Sequence, residues 1–248
     1  MKILSWNIAC LPNYCNIFSN PIDRIPRILS IIEKHDADII CLQEVFDKKI
    51  RKIIIEYFKD KYNYYYTVNF SPFLNDGLLT MTRYEMINKK NYVFEYTCGE
   101  DYLVYKGFHF IIVRYGNDEE NKDNFISIIN THMNADPLVK IKDDPKLVRT
   151  EQLKKIIQTI KENKINKNLF CGDTNIKFEN VNRLFFLNTL KIYNKHMNTN
   201  IEKIKTFEND QLDYIIYYGS VKLNKYEIQS EIIVNESDHH LLLCDIDF

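Results

Sequence analysis

The chain is poor in the residues that mark linkers, membrane spans and disulfide frameworks. Glycine and proline number only six each among 248 residues, and no low-complexity tract or block of one charge interrupts the sequence. One domain over 1–248 is therefore expected. No apolar run approaches the roughly 20 residues that cross a bilayer. The six cysteines show no paired ligand spacing, which argues against a thiolate metal site, and a disulfide framework is out of keeping with this length. Cys41, Cys171 and Cys244 lie in apolar runs and read as small buried hydrophobes. A formal net charge of −1 leaves no broad positive field to draw the chain to nucleic acid or anionic lipid. The local basic group Lys48, Lys49, Arg51 and Lys52 reads as a solvated helix face. Strand-like material begins at Met1, with no room for a secretory leader, so the cytoplasm or nucleus is the expected location.

What is present is ample apolar and aromatic material, with 17 Tyr and 15 Phe against a single Trp, enough for a sizeable core. Apolar spacing predicts helices over 22–35 (Ile25, Ile28, Leu29, Ile32), over Lys48–Phe58 (Ile50, Ile53, Ile54, Tyr57) and over 146–161 (Leu147, Leu153, Ile156, Ile157, Ile160). A further short helix is expected over 178–187. Buried strands are expected at the start and over 38–42, giving a strand–helix–strand–helix opening. Five β-like stretches follow (62–70, 77–83, 86–96, 107–115 and 125–131), with a charged hairpin loop over 118–124. With no helices between them, they are expected to pair antiparallel. Strands over 169–171, 213–218, 226–234 and 241–246 close the chain. The pattern predicts an α/β fold of two sheets packed face to face with helices outside.

Four polar clusters end apolar runs: Trp6-Asn7, Gln43-Glu44, Gly172-Asp173-Thr174-Asn175 and Ser237-Asp238-His239. Strand ends sit on a rigid scaffold and can converge on one cleft. Carboxylate and amide oxygens gathered there with a histidine suit a hard divalent cation and a general base. Each cluster also has a plain reading: Asn7 as a turn cap, Glu44 as a solvated carboxylate, Asp173 to Asn175 as an Asx turn, Asp213 as a surface ion-pair partner and His132 as a satisfied strand-end histidine. His240 reads as structural, and His35, His109 and His196 lack motif support.

Taken in order, Ser5-Trp6-Asn7, the run from Asp38 to Val45, Asn130-Thr131-His132, Gly172-Asp173-Thr174-Asn175, Leu212-Asp213-Tyr214 and Ser237-Asp238-His239 resemble the endonuclease/exonuclease/phosphatase superfamily over essentially the whole chain. The resemblance implies a four-layer α/β sandwich of two mixed or antiparallel sheets flanked by helices. It also implies phosphodiester hydrolysis with one or two Mg²⁺ or Mn²⁺ ions. It assigns Glu44, Asn7 and Asp238 to the metal, and His239 as the general base oriented by Asp213. Asp173 and Asn175 would position the attacking water and a phosphate oxygen, and His132 would contact the phosphate or the leaving group.

The substrate, a phospholipid or a nucleic acid, is not given by the fold. The stretch Asn75 to Tyr84, the Lys106-Gly107 step and the segment His132 to Ala135 followed by Arg149 to Leu153 resemble the neutral sphingomyelinase branch. They add Lys106, Asn134 and Arg149 as substrate-side residues, with Arg149 placed to clamp a carboxylate or tie the loop to the helix; the structural alternatives are a strand-edge lysine, a turn asparagine and a surface helix arginine. The Gly172-Asp173-Thr174-Asn175 and Trp6-Asn7-Ile8 segments also fit the tyrosyl-DNA phosphodiesterase branch, so a nuclease or DNA-repair activity is the competing expectation. The single Trp excludes the inositol-phosphatase pattern. The apolar residues 70–74 read either as a membrane-contact loop or as a buried strand-end cluster. A non-catalytic binding module would lack Glu44, Asp173, Asp213 or His239, and all four are present.

Overall fold

The computed structural model describes residues 1–11, 20–69, 75–116, 124–177, 205–207, 210–219, 221, 223–233 and 235–248. The 70–74 loop and the helix expected over 178–187 lie outside the described residues, as does most of the 118–124 loop. Strand β1 (Lys2–Cys10) is followed by α1 (Pro21–His35), β2 (Ile39–Val45) and α2 (Lys48–Phe58). Short β3 (Tyr64–Tyr66) and β4 (Leu79–Thr82) precede β5 (Glu85–Val93), β6 (Gly107–Arg114) and β7 (Phe125–His132). Helix α3 (Pro145–Asn163), β8 (Lys167–Asp173), β9 (Asp213–Gly219), β10 (Lys225–Glu231) and β11 (Leu241–Asp247) complete the order.

The strands form two sheets, β10-β11-β1-β2-β4-β3 and β5-β6-β7-β8-β9. All neighbours are antiparallel except β1/β2 and β7/β8, each joined through a helix. The middle stretches therefore pair antiparallel as expected, but not as one meander: the chain changes sheets between β4 and β5. Leu4, Trp6, Ile8, Ile40, Leu42, Leu79 and Met81 face α1 and α2. Phe108, Phe110, Ile129 and Phe170 face α3. Ile3, Ile39, Cys41, Ile111, Ile128, Leu169, Cys171, Leu242 and Cys244 fill the space between the sheets. Helix, sheet, sheet, helix is the four-layer arrangement, and Cys41, Cys171 and Cys244 are buried free thiols within it.

The helices start where side chains accept orphan amides: Asn20 from Ile22, Asp47 from Lys49 and Ile50, and Asp144 from Lys146. The apolar face of α1 is as expected. In α2, Ile53 and Tyr57 instead face outward, and the buried set is Ile50, Arg51, Ile54 and Phe58. Arg51 leaves the expected solvated face because its guanidinium reaches Thr67 Oγ1 at 2.6 Å and the Val68 carbonyl at 3.3 Å. Leu147 in α3 is likewise exposed, and the inward face of the helix begins at Arg149. No described helix is long and apolar enough to cross a membrane.

Candidate active site

Strand alternation builds the site as the polar end of the inter-sheet core. Along each central strand the inward positions run from apolar to polar: Ile3, Ser5, Asn7; Ile39, Cys41, Gln43; Ile128, Asn130, His132; Leu169, Cys171, Asp173. The carboxyl ends of the two parallel pairs thus meet, as ligand sites commonly do in sheets with parallel strands. Two backbone features complete the convergence. By alternation Glu44 would point outward with Ile40 and Leu42, but its left-handed backbone (φ 57°) turns it toward Asn7. Gly172 has φ 137°, and a Cβ there would lie 2.0 Å from the Thr131 carbonyl oxygen, so only glycine lets β8 run this close to β7 beside Asp173.

The Asn7 amide bridges two carboxylates, donating to Glu44 Oε1 at 2.9 Å and Asp173 Oδ2 at 3.1 Å. Its own oxygen accepts from the Ala9 amide, which fixes the orientation of the NH₂ group. Asp173 Oδ1 accepts from the Asn175 amide at 2.9 Å, while Asn175 Nδ2 reaches the Met133 carbonyl. Burial raises the Glu44 carboxyl above its ordinary range despite the Asn7 hydrogen bond. Burial, with the neighbouring Asp213 charge, pushes Asp173 up to about 7.

His239 Nδ1 lies 2.8 Å from Asp213 Oδ2, and its Nε2 is 3.7 Å from Asp173 Oδ2. Burial alone would lower this imidazole, but Asp213 and Asp173 outweigh it and raise the pKa to about 10. The loop carrying His239 is fastened to β1. Trp6 Nε1 donates to the His239 carbonyl at 3.0 Å, Ser237 Oγ donates to the Asn7 carbonyl at 2.6 Å, and the His239 amide donates to Ser237 Oγ. On the opposite side His132 Nε2 stands 3.8 Å from Glu44 Oε1 and 3.6 Å from Asp173 Oδ2. Burial and the Lys106 ammonium hold His132 neutral, well below its usual pKa. Its Nε2 therefore accepts from Lys106 Nζ at 3.0 Å.

Residues 4–239 match the Endonuclease/Exonuclease/phosphatase family profile. The chain belongs to that family. Among curated relatives it is 28% identical to a sphingomyelinase C of Bacillus cereus over 197 residues, 71% of this chain and 57% of the relative. It is 27% identical to a sphingomyelinase C of Leptospira interrogans, over 71% of this chain and 34% of the relative. The chain thus spans only part of the length of these relatives. Among solved structures SmcL superposes with a TM-score of 0.81 at 18% identity, over 99% of this chain and 98% of that one. Beta toxin from Staphylococcus aureus, crystallised with bound magnesium ions, gives 0.76 at 17% identity over 100% and 99%. Truncated TDP2 from Caenorhabditis elegans gives 0.68 at 17% identity over 100% and 97%.

In this family member the donor set fits a hard divalent cation. Ligand atoms of Glu44, His132 and Asp173 lie within 4.8 Å of one another, and those of Asp173, Asp213 and His239 form a second such group sharing Asp173. Asp213 Oδ1 is buried without a hydrogen-bond partner among the described residues. Carboxylates clustered in this way, Glu44 and Asp173 bridged by the Asn7 amide and Asp213 beside them, are what a bound cation would relieve.

The other expected site residues divide sharply. Asp238 sits half-buried at the rim, outside both ligand groups, although its charge is felt at Glu44 and His239. Lys106 is at the site, but its three donors are spent on His132 Nε2, the Met133 carbonyl and Asp101 Oδ1, so it holds His132 and has no N–H left for a substrate oxygen. Asn134 is not brought to the site: its side chain accepts from the Cys98 amide and donates to Cys98 Sγ and the Ala135 carbonyl. Arg149 is buried rather than a surface helix arginine, and it ties loop to helix through the Asn134 carbonyl at 3.0 Å and Asp136 at 2.8 Å.

Sequence reasoning missed Arg24. This fully buried guanidinium donates to the carbonyls of Ile8, Ala9 and Glu236, clamping the end of β1 to the loop that carries His239. Its only sequence signal is an arginine on the apolar face of α1, one position before Ile25.

Proposed function

We propose that the chain is a Mg²⁺-dependent phosphodiesterase of the sphingomyelinase type, cleaving a phospholipid head group by attack of water on phosphorus. The observation that carries the reaction is the convergence of the His239–Asp213 pair with the Asn7-bridged carboxylates Glu44 and Asp173. Asp213 fixes the imidazole so that Nε2 faces the site, and it stabilises the imidazolium formed when that nitrogen takes a proton from water. Without a cation the raised His239 pKa, about 10, keeps the imidazole protonated at neutral pH, so it serves as the base only once a bound cation has offset the surrounding negative charge. Glu44 and Asp173 would hold the cation, with Asn7 setting their spacing and Asn175 holding Asp173. A bound Mg²⁺ would neutralise phosphate charge and offset the negative charge around His239. His132 lies across the same space on the opposite sheet, and it would contact the phosphate or leaving group once its Nε2 is released from Lys106 and carries the proton.

The lipid assignment is supported by the sphingomyelinase C relatives at 27–28% identity. The TDP2 likeness supports a second reading, a DNA phosphodiesterase. Parallel assays with labelled sphingomyelin in micelles, single-stranded DNA, an abasic duplex and a 5′-tyrosyl oligonucleotide, each with Mg²⁺ or EDTA, separate the two. Metal-dependent release of phosphocholine is expected. Cleavage confined to a DNA substrate would overturn the lipid assignment and leave the chemistry standing.

A further inference from the structure

Behind the site lies a buried ionisable pair that the proposed chemistry does not use. His109, on the inner face of β6, and Asp76, just before β4, are both fully shielded from solvent. Their side chains meet at 2.8 Å, Nε2 to Oδ2. His109 Nδ1 is 3.2 Å from Thr80 Oγ1, and Thr80 Oγ1 accepts from Asn130 Nδ2 at 3.1 Å. With that lone pair taken, the Thr80 hydroxyl proton is free to point at Nδ1, leaving the Nε2 proton for Asp76. Asn130 also reaches the carbonyls of Leu42 and Leu79, and its oxygen accepts from Gln43 Nε2 at 2.8 Å. The chain of bonds therefore runs from Asp76 across both sheets to the residue preceding Glu44.

The same turn grips the residues after Glu44. Asn75 Nδ2 donates to the Phe46 carbonyl at 2.8 Å, and the Val45 amide donates to the Gly77 carbonyl at 2.8 Å. Gly77 is left-handed (φ 70°), and a Cβ there would meet the Phe46 ring at 2.6 Å. Asp76 braces this turn by accepting the Leu78 amide on Oδ1 while its other oxygen holds His109. Glu44 itself sits in a left-handed conformation (φ 57°) that is unfavourable for a non-glycine residue and persists only where its surroundings over-determine it. Here Gln43 is held from one side and Val45 and Phe46 from the other, and both grips lead back to one buried pair.

We infer that Asp76 and His109 are positioning residues for the cation: they fix the left-handed turn that aims Glu44 into the site. The inference rests on the reading of Glu44 as a metal ligand. Partners that orient a ligand from behind typically change metal affinity by about 10–100-fold when lost.

The test is calorimetric titration of Mg²⁺ alone into the wild type, Asp76→Asn, His109→Gln and Thr80→Val, below each variant's melting transition. Thr80→Val keeps the Asp76–His109 pair and cuts only its link to Asn130, so it serves if either member of the pair proves essential for folding. The expected result is Mg²⁺ affinity at least tenfold weaker in Asp76→Asn and His109→Gln, and several-fold weaker in Thr80→Val, with cooperative melting retained. Lowered melting temperatures with unchanged Mg²⁺ affinity would overturn the inference and leave the pair a structural brace. A wild type that binds no Mg²⁺ would instead overturn the reading of Glu44 on which the inference stands.

Discussion

The indole nitrogen of Trp6 donates a 3.0 Å hydrogen bond to the carbonyl oxygen of His239, joining the first strand to a loop 233 residues later. Ser237 reinforces the join by bonding the Asn7 carbonyl, so the proposed base and the amide that spaces the carboxylates share one anchorage. Trp6→Phe keeps the ring and removes the donor. Turnover at saturating Mg²⁺ should fall roughly tenfold, as expected when a proton acceptor is misplaced, with Mg²⁺ affinity unchanged. Equal turnover in wild type and variant would show that the loop holds its position without this bond.

Arg24 offers a second test of the same anchorage. Arg24→Met leaves the carbonyls of Ile8, Ala9 and Glu236 without their donor in a buried setting. A loss on the order of 3 kcal/mol in urea unfolding is expected. A change within experimental error would mean that water replaces the guanidinium at no cost.

The substrate-side residues suggested by resemblance lead to a contrary expectation. Asn134 is fully buried and bonded to Cys98 and Ala135. Asn134→Ala should lower the melting temperature, while KM for the phosphodiester substrate stays within about twofold on a tenfold scale of 1.4 kcal/mol. A large rise in KM with unchanged stability would restore the residue to substrate binding.

Stability should depend on pH in a defined direction. Asp173, raised to about 7, binds its proton more tightly in the folded state than the ordinary carboxyl of the unfolded chain, so stability is lost as pH rises toward 7. His239, raised to about 10 from 6.5, contributes stability that is fully present below 6.5 and lost as pH rises through 10. His132, lowered, acts in the opposite sense, and its contribution is complete above 6.5. Between pH 7 and 9 the melting temperature of the cation-free protein should therefore fall, more steeply than in His239→Gln. A rising or flat profile in the wild type would contradict the assigned coupling of His239 to Asp213.

Much of this architecture was legible because the same physics writes both pattern and fold. The apolar faces at Ile25, Ile28, Leu29 and Ile32 and the polar ends of buried runs at Asn7 and Asp173 mark elements and strand ends directly. The misreadings have particular causes. Ile53 and Tyr57 satisfy helical spacing as well as Ile50 and Ile54 do, and only the tertiary contact of Arg51 with Thr67 decides which stripe is buried. Lys106 and Asn134 stand in the right segments, but their hydrogen-bond partners Asp101, Met133 and Cys98 are set by loop packing that no local pattern encodes. Glu44 was found by its motif, although strand alternation places it on the wrong face; the left-handed turn that corrects this depends on Asn75 and Gly77, 31 and 33 positions downstream. His109 carried no sequence signal at all, since a histidine inside an apolar strand declares itself only once Asp76 and Thr80 are found beside it.

The most direct test of the central claim is the rate of phosphocholine release from labelled sphingomyelin by His239→Ala at saturating Mg²⁺. With His239 as the general base, the rate should fall by about 10² to 10⁴ relative to wild type, with the fold and Mg²⁺ affinity intact. Retention of most of the wild-type rate would contradict the mechanism, whatever the substrate proves to be.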